Sequence, residues 1–165
     1  MESSLFTSLQ TGGQVIAWLD IIGIYLFIAG FIVGLGAVIV IDIHGFLGRK
    51  SAYWTEATTR THKVTKPLIW IGLLLALLGG LITYRNSSFS GIPLLQAIIA
   101  VVLVLNGLFL SFYVSPYLLH REREDRAHEL LPDSLQMKIA LSFIVSFFGW
   151  WSELFLLVWY LVMVR

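Results

Sequence analysis

The chain has 165 residues, of which 58% are hydrophobic and only 13% are charged. Ordinary soluble domains carry roughly 25% charged residues. This composition therefore excludes a water-soluble domain and indicates an integral membrane protein. The formal net charge of +1 gives no global field that would attract nucleic acid. Because the chain has no cysteine, thiolate metal sites and iron–sulfur clusters are excluded, and histidine and carboxylate side chains are the metal ligands that remain.

Four apolar segments are each long enough to cross a hydrocarbon core of about 30 Å as a helix. In chain order they cover residues 15–43, 67–84, 92–119 and 139–164. Backbone groups in lipid must be hydrogen-bonded within their own segment, so we expect helices and not isolated strands. The sequence therefore predicts an all-α, integral membrane four-helix bundle with up-down topology, in which residues 1–165 form a single transmembrane domain.

The basic residues are distributed unevenly between the two ends of this bundle. Nine of the eleven Lys and Arg residues fall in the two connections 44–66 and 120–138. By the positive-inside rule these connections are cytoplasmic, which leaves both termini outside a prokaryotic cytoplasmic membrane. The residues before the first span include no Lys or Arg, unlike the start of a signal peptide, so we expect the first span to be retained.

The second cytoplasmic connection is the most charged part of the chain. His120 to Glu129 alternates acidic and basic residues, which predicts that span three continues as a helix into the cytoplasm, bent near Ser115-Pro116. Pro132-Asp133-Ser134 has the residue types that begin a helix, and it predicts the start of span four.

Each span has one stripe of small or polar residues at helical spacing. The stripes contain Asp20, Gly23, Phe27, Gly30 and Gly34 in span one; Thr65, Gly72, Ala76, Gly79 and Thr83 in span two; Asn106, Tyr113, Tyr117 and His120 in span three; and Ser142, Ser146, Gly149, Glu153 and Tyr160 in span four. Small residues let helices approach closely in lipid, and polar residues form hydrogen bonds between them. The sequence thus predicts that these stripes face inward.

Two carboxylates, Asp20 and Glu153, lie within the outer half of the predicted bundle. An ionised carboxylate in lipid must be paired, protonated or exposed to water. Arg85, at the outer end of span two, is the nearest candidate partner by depth. One interpretation is a proton-relay or cation site formed by Asp20, Glu153 and Arg85. The other is a structural role, in which the carboxylate bonds Tyr160, a serine or Arg85 and fixes the helix register.

The four histidines all fall at the cytoplasmic end of the predicted bundle. With two nearby acidic residues they form a candidate metal or haem-edge site, whose members are His44, His62, His120, His128, Asp42 and Glu124. The alternative is that the histidines are ordinary interface residues. On that interpretation Arg121–Asp125, Glu122–Arg126 and Glu124–His128 are ion pairs one helical turn apart.

Two further features concern the bundle interior. Trp150-Trp151 lies near the middle of span four, where one ring is expected in the core and the other towards lipid; the alternative is that they line a pocket for a flat hydrophobic ligand such as a quinone or porphyrin. Asn106 in mid-span three is predicted to form a hydrogen bond between helices.

Several short motifs resemble a superfamily of small four-helix membrane proteins: Trp18-Leu19-Asp20-Ile21-Ile22 and Gly34-Leu35-Gly36 in span one, Ile69-Trp70-Ile71-Gly72 in span two and Leu105-Asn106-Gly107 in span three. The group includes copper-resistance D-like proteins, HemJ-type protoporphyrinogen oxidases and many uncharacterised prokaryotic proteins. The resemblance implies a histidine, a candidate haem ligand, early in span one and often a second one after Asn-Gly. This chain has Asp20 and Ser111 at those places.

Three function hypotheses follow. The first is a metal- or haem-related membrane protein whose polar interior carries protons or a cation. The second is a non-enzymatic membrane helper or interaction subunit, a homo-oligomer or a protein with a partner on its cytoplasmic side. The third is a small channel or transporter with a water-filled path between Asp20 and Glu153. All three hypotheses expect the protein to lie in a lipid bilayer, which is then its first partner.

Overall fold

The computed structural model describes the backbone of residues 2–163 and the side chains of residues 18–163. The described chain is all-α, as predicted. Its elements are α1 (Glu2–Gly48), α2 (Ala52–Thr83), α3 (Gly91–Phe109), a π-helical turn (Leu110–Val114), α4 (Ser115–Arg123) and α5 (Asp133–Met163). Four helices are long and apolar enough to cross a membrane: Trp18–Gly48 within α1, α2, the continuous segment Gly91–Arg123, and α5. We call the end with the connections 49–51 and 124–132 the basic end.

The first connection is much shorter than the loop expected over 44–66. Helix α1 ends at Gly48 and α2 begins at Ala52, so three residues join them. The hydroxyl of Thr55 accounts for this tight turn, because it lies 2.7 Å from the carbonyl oxygen of Gly48 and 2.9 Å from that of Ser51. The Gly48 carbonyl oxygen at the end of α1 thereby obtains a donor from α2, whereas the Ser51 carbonyl oxygen also accepts the backbone N–H of Thr55.

Helices α1 and α2 pack backbone against backbone in antiparallel directions. A Cβ atom added at Gly30 would lie 2.5 Å from the backbone nitrogen of Ala76, and one added at Gly72 would overlap the backbone of Gly34. Such close approach requires small residues on both helices. The inward-facing stripes predicted for spans one and two are confirmed by these contacts and by the burial of the α2 stripe.

Helix α5 packs on both α1 and α3 and completes the core. Trp150 is 2% exposed and packs edge-on against Phe31, with its ring centroid 5.9 Å away. Its ring also occupies the space above Gly34. The neighbouring Trp151 is exposed on the outside of the bundle. The prediction that one of the two rings fills the core and the other faces outward is confirmed.

The third span has a different register from the predicted one. The stripe predicted to continue from Asn106 through Tyr113 and Tyr117 is wrong, since both tyrosines are exposed. The buried residues are instead Val114 and Leu118, each one position later. The π-helical turn Leu110–Val114 explains the shift, because a π turn inserts one extra residue and rotates everything after it by about 100°.

The charged connection at the basic end is not a continuation of the helix. Helix α4 ends at Arg123, and Asp125 has a left-handed backbone with φ of 58°. The expected continuation of span three as a helix is therefore confirmed from His120 to Arg123 and wrong from Glu124 to Glu129. The chain turns back because buried Arg121 donates to the backbone oxygen of Glu129 at 2.8 Å. Helix α5 then begins at Asp133, where the sequence placed its start.

This connection should be sensitive to acid. Hydrogen bonds from Arg126 at 3.0 and 3.1 Å hold the pKa of the exposed Glu129 carboxyl below its usual range. A depressed folded-state pKa means that the stabilisation is present above the unfolded value and is lost as the pH falls through the folded value. We expect a spin label at His128→Cys to be most restrained at pH 7 and to gain mobility as the pH falls below the ordinary carboxyl range and Glu129 is protonated. In the Glu129→Gln background the mobility of the label should not change over the same pH range; an acid-induced gain of mobility that persists in Glu129→Gln would contradict this.

Candidate functional site

We describe two cavities between the helices, one in each half of the described part of the bundle, and both are partly open to the outside. The first, which we call the Glu153 cavity, has a volume of about 270 Å³ and lies mainly between α2 and α3, in the half away from the basic end. Glu153 on α5 is 5% exposed and lines this cavity. The remaining wall is chiefly apolar and aromatic, with Phe27, Phe31, Leu73, Leu77, Leu103 and Trp150 among its members. A buried carboxylate thus sits in an otherwise apolar chamber.

One oxygen of this carboxylate is fixed by a neighbouring helix. The amide nitrogen of Gln96 on α3 donates to Glu153 Oε2 at 2.9 Å and to the Glu153 backbone oxygen at 3.1 Å. Gln96 is itself oriented by the hydroxyl of Tyr84, which donates to its amide oxygen. Glu153 Oε1 is buried and has no hydrogen-bond partner in the part of the chain that the structure describes. This carboxylate oxygen is therefore a buried acceptor without a donor, on a residue that lines the cavity.

The second carboxylate in the half away from the basic end, Asp20, is paired. Arg85 Nη1 lies 2.5 Å from Asp20 Oδ1 and donates to the Ile82 carbonyl oxygen at 2.8 Å. Arg85 lines the Glu153 cavity, whereas the cavity lining does not include Asp20. Arg85 therefore lines the same cavity as Glu153 but forms its ion pair with Asp20. Among the described residues, Glu153 has no ion-pair partner.

The other predicted members of the polar interior form links between helices. The hydroxyl of Tyr160 lies 2.7 Å from Ser87 Oγ, and its ring packs edge-on against Tyr84 at 4.7 Å. Asn106 exchanges two hydrogen bonds with Ser142, at 3.1 and 2.8 Å, which confirms the predicted interhelical bond. Neither Tyr160 nor Asn106 lines the Glu153 cavity.

The second cavity, which we call the Asp42 cavity, lies at the basic end and has a volume of about 140 Å³. Three ionisable side chains within the bundle line it: Asp42 from α1, and His62 and Lys66 from α2. Asp42 Oδ2 and His62 Nε2 are buried and have no hydrogen-bond partner among the described residues. The two cavities have no lining residue in common.

The π-helical turn forms one wall of the Asp42 cavity. Ser111 in that turn accepts a hydrogen bond from Trp70 Nε1 at 3.0 Å on its hydroxyl, and its backbone oxygen lies 3.4 Å from Lys66 Nζ. Helix α2 thus contacts the irregular turn twice. π-helical turns occur frequently at functional sites, and this one faces a cavity with three ionisable groups.

The structure distributes the predicted metal-site residues over several places. His44 bonds the Val40 carbonyl oxygen at 2.8 Å, His120 Nε2 lies 3.2 Å from Glu124 Oε1, and His128 is exposed on the charged connection. Only His62 and Asp42 line a common cavity. Within the described residues, no group of three or more His, Asp or Glu side chains could hold a metal ion.

Two site residues were not identified from the sequence. Gln96 is polar in an otherwise apolar span, so the rule that singled out Asn106 would also have found it. Lys66 was counted only as part of the basic connection, because its position at the wall of a cavity depends on how closely α2 packs on α1.

No family model, no curated protein and no solved structure matches this chain.

Proposed function

We propose that this membrane protein binds an apolar molecule with a protonated amine head group, with Glu153 as the counter-ion. The observation that carries the proposal is the buried Glu153 carboxylate, one oxygen of which has no partner among the described residues while it lines an apolar cavity. In this proposal the basic end faces the cytoplasm and both termini lie outside.

Electrostatics supports a cationic ligand. A carboxylate within the membrane is costly to ionise unless a cation compensates it, and the amide of Gln96 supplies only a dipole. Arg85 does not supply that cation, because its guanidinium is paired with Asp20. An ammonium N–H directed at Glu153 Oε1 would form a charge-assisted hydrogen bond in a low-dielectric cavity, where such bonds are strong.

The shape and chemistry of the wall support an apolar ligand. Phe27, Phe31 and Trp150 present aromatic faces and edges, and the adjoining α2 and α3 positions are mostly aliphatic. Cavities that bind small molecules combine such walls with a few convergent polar groups. The aromatic side chains also favour a cation, because aromatic faces attract positive charge.

The geometry favours binding over conduction and over a metal centre. Phe31, Leu103 and Trp150 are buried in one hydrophobic cluster at the inner limit of the Glu153 cavity. The Asp42 cavity begins beyond them, towards the basic end. A metal- or haem-related role would draw on His62 and Asp42 only, since the other histidines lie elsewhere.

The experiment is equilibrium binding of dodecylamine to the protein in nanodiscs, with binding to empty nanodiscs subtracted. We expect saturable binding that Glu153→Gln weakens by about tenfold or more, because a charge-assisted hydrogen bond is lost. This substitution keeps the side-chain shape and an acceptor for Gln96. The matched control is Glu56→Gln on the outside of α2, which should leave binding unchanged.

Dodecanol provides the second comparison, because it has the same chain without the charge. It should bind the unmodified protein no better than it binds Glu153→Gln. Dodecylamine binding that is the same in both proteins would overturn the proposal.

A further inference from the structure

We propose that the Asp42 cavity is a second binding site, which takes a small zwitterionic group with a primary ammonium and an acidic oxyanion a few bonds apart. The site is separate from the Glu153 cavity and shares no lining residue with it. The inference therefore does not depend on the function proposed for Glu153.

The wall near Asp42 offers acceptors. Asp42 Oδ2 and His62 Nε2 lack hydrogen-bond partners among the described residues. Three threonine hydroxyls on this wall donate to backbone carbonyls of the preceding turn, so only their oxygen lone pairs remain: Thr55, Thr58 and Thr59. A primary ammonium has three N–H donors and no acceptor, so it fits such a wall.

Lys66 supplies the positive charge of this site. Its ammonium is half-buried, and its contacts with the Ser111 carbonyl oxygen and the Ser115 hydroxyl are both long, at 3.4 Å. A lysine ammonium is a compact charge that commonly binds phosphate and carboxylate groups. Arg49 also lines the cavity from its exposed position after α1, and it extends the positive side towards the surface.

The helix register places the acid and the base opposite each other. Gly30 faces Ala76 and Gly34 faces Gly72 across the antiparallel α1–α2 contact. Continued towards the basic end, this register brings Asp42 level with residue 64, between His62 and Lys66. Among the described residues Asp42 and Lys66 form no ion pair, although both line one cavity. A ligand with charges of both signs would satisfy both groups at once.

The volume limits the size of the ligand. A cavity of about 150 Å³ holds a benzene-sized molecule, and the Asp42 cavity has about 140 Å³. A group of roughly six to eight non-hydrogen atoms is therefore suitable. Phosphoethanolamine has this size and both charges, and it occurs as a free compound and as a lipid head group.

The experiment is calorimetric titration of O-phosphoethanolamine into the protein in a non-ionic detergent, with phosphocholine as the matched ligand. Phosphocholine has the same phosphate, but its quaternary nitrogen has no N–H. We expect phosphoethanolamine to bind at least about tenfold more tightly, because only its ammonium can donate to Asp42 and His62. This comparison uses the unmodified chain and does not depend on the folding of any variant.

Variants locate the site. Asp42→Asn and Lys66→Gln should each weaken phosphoethanolamine binding by about tenfold, whereas Lys50→Gln in the exposed turn after α1 should not. Competition by dihexanoyl phosphatidylethanolamine would identify a lipid head group as the source of the ligand. Failure of that lipid to compete would identify a free compound, and either result supports the site. Equal affinity for the two phosphate compounds, no binding of either, or unchanged binding in both variants would overturn it.

Discussion

Replacing Gly72 by alanine should strongly destabilise the protein, because the added methyl group meets the backbone of α1. A Cβ atom at this position overlaps the backbone nitrogen and Cα of Gly34 and lies 2.8 Å from the Gly30 carbonyl oxygen. These are backbone atoms and cannot turn away, so the two helices must separate along their contact. We expect a loss of about 3 kcal/mol in the free energy of unfolding, at the upper end of the range for overpacking.

The matched control is Gly36→Ala on α1. Nothing lies within 4 Å of a Cβ atom added there, and alanine is the better helix former, so stability should stay equal or rise by about 0.5–1 kcal/mol. Unfolding in detergent, followed by the loss of helical circular dichroism, measures both variants. Equal stability of Gly72→Ala and Gly36→Ala would contradict the backbone contact between α1 and α2.

Replacing Arg121 by methionine should release the charged connection at the basic end. The Arg121 side chain is 6% exposed, and its guanidinium donates to the backbone oxygens of Glu129 at 2.8 Å and Leu130 at 3.4 Å. Losing a charged donor from partly buried carbonyls costs about 1.5–3 kcal/mol. Arg121 Nε has no partner among the described residues, so we expect the lower part of that range, about 2 kcal/mol.

The comparison variant is Arg123→Met, which removes the same charge from an exposed position two residues later. Its effect on unfolding should be below about 0.5 kcal/mol. Hydrogen exchange should increase over residues 124–132 in Arg121→Met and stay unchanged in Arg123→Met. Equal exchange in the two variants would show that Arg121 does not hold the connection in place.

The architecture was largely predictable because it depends on local patterns. Apolar length predicts the four spans, and small residues at helical spacing predict which faces of α1 and α2 meet. Gly30 and Gly72 illustrate this, since the absence of a side chain at each leaves space that the backbone of the other helix fills. The starting point of α5 also followed from the residue types at Pro132 and Asp133.

The register of the third span was not predictable in this way. Periodicity assumes 3.6 residues per turn throughout, and one extra residue in the π-helical turn moved the buried face from Tyr113 to Val114. Pro116 after the turn signals an irregularity, because it has no N–H to donate to the carbonyl of Phe112, but it does not say that the helix gains one residue there. The hydrogen bonds of the turn with Lys66 and Trp70 come from another helix, so part of the information that fixes the register is not local.

The candidate sites were predictable only in part, because only some of their features depend on local sequence. A carboxylate in an apolar span is unusual at the level of sequence, and Glu153 was therefore identified. The sequence did not identify its hydrogen-bond partner Gln96, nor did it decide that Asp20 pairs with Arg85. Both contacts depend on how the helices pack and at what depth each residue lies. Likewise, the sequence places all four histidines at one end of the bundle, but in the structure only His62 lines the same cavity as Asp42.

Photo-crosslinking tests the proposed amine site in the Glu153 cavity most directly. The probe is a long-chain primary amine with a diazirine in its chain, activated on the protein in nanodiscs and mapped by peptide mass spectrometry. We predict labels on the buried wall residues Leu73, Ala76 and Leu103, with strong loss of labelling in Glu153→Gln and no loss in Glu56→Gln. Labels confined to the outer faces of the helices, or labels in the cavity that persist in Glu153→Gln, would contradict the account.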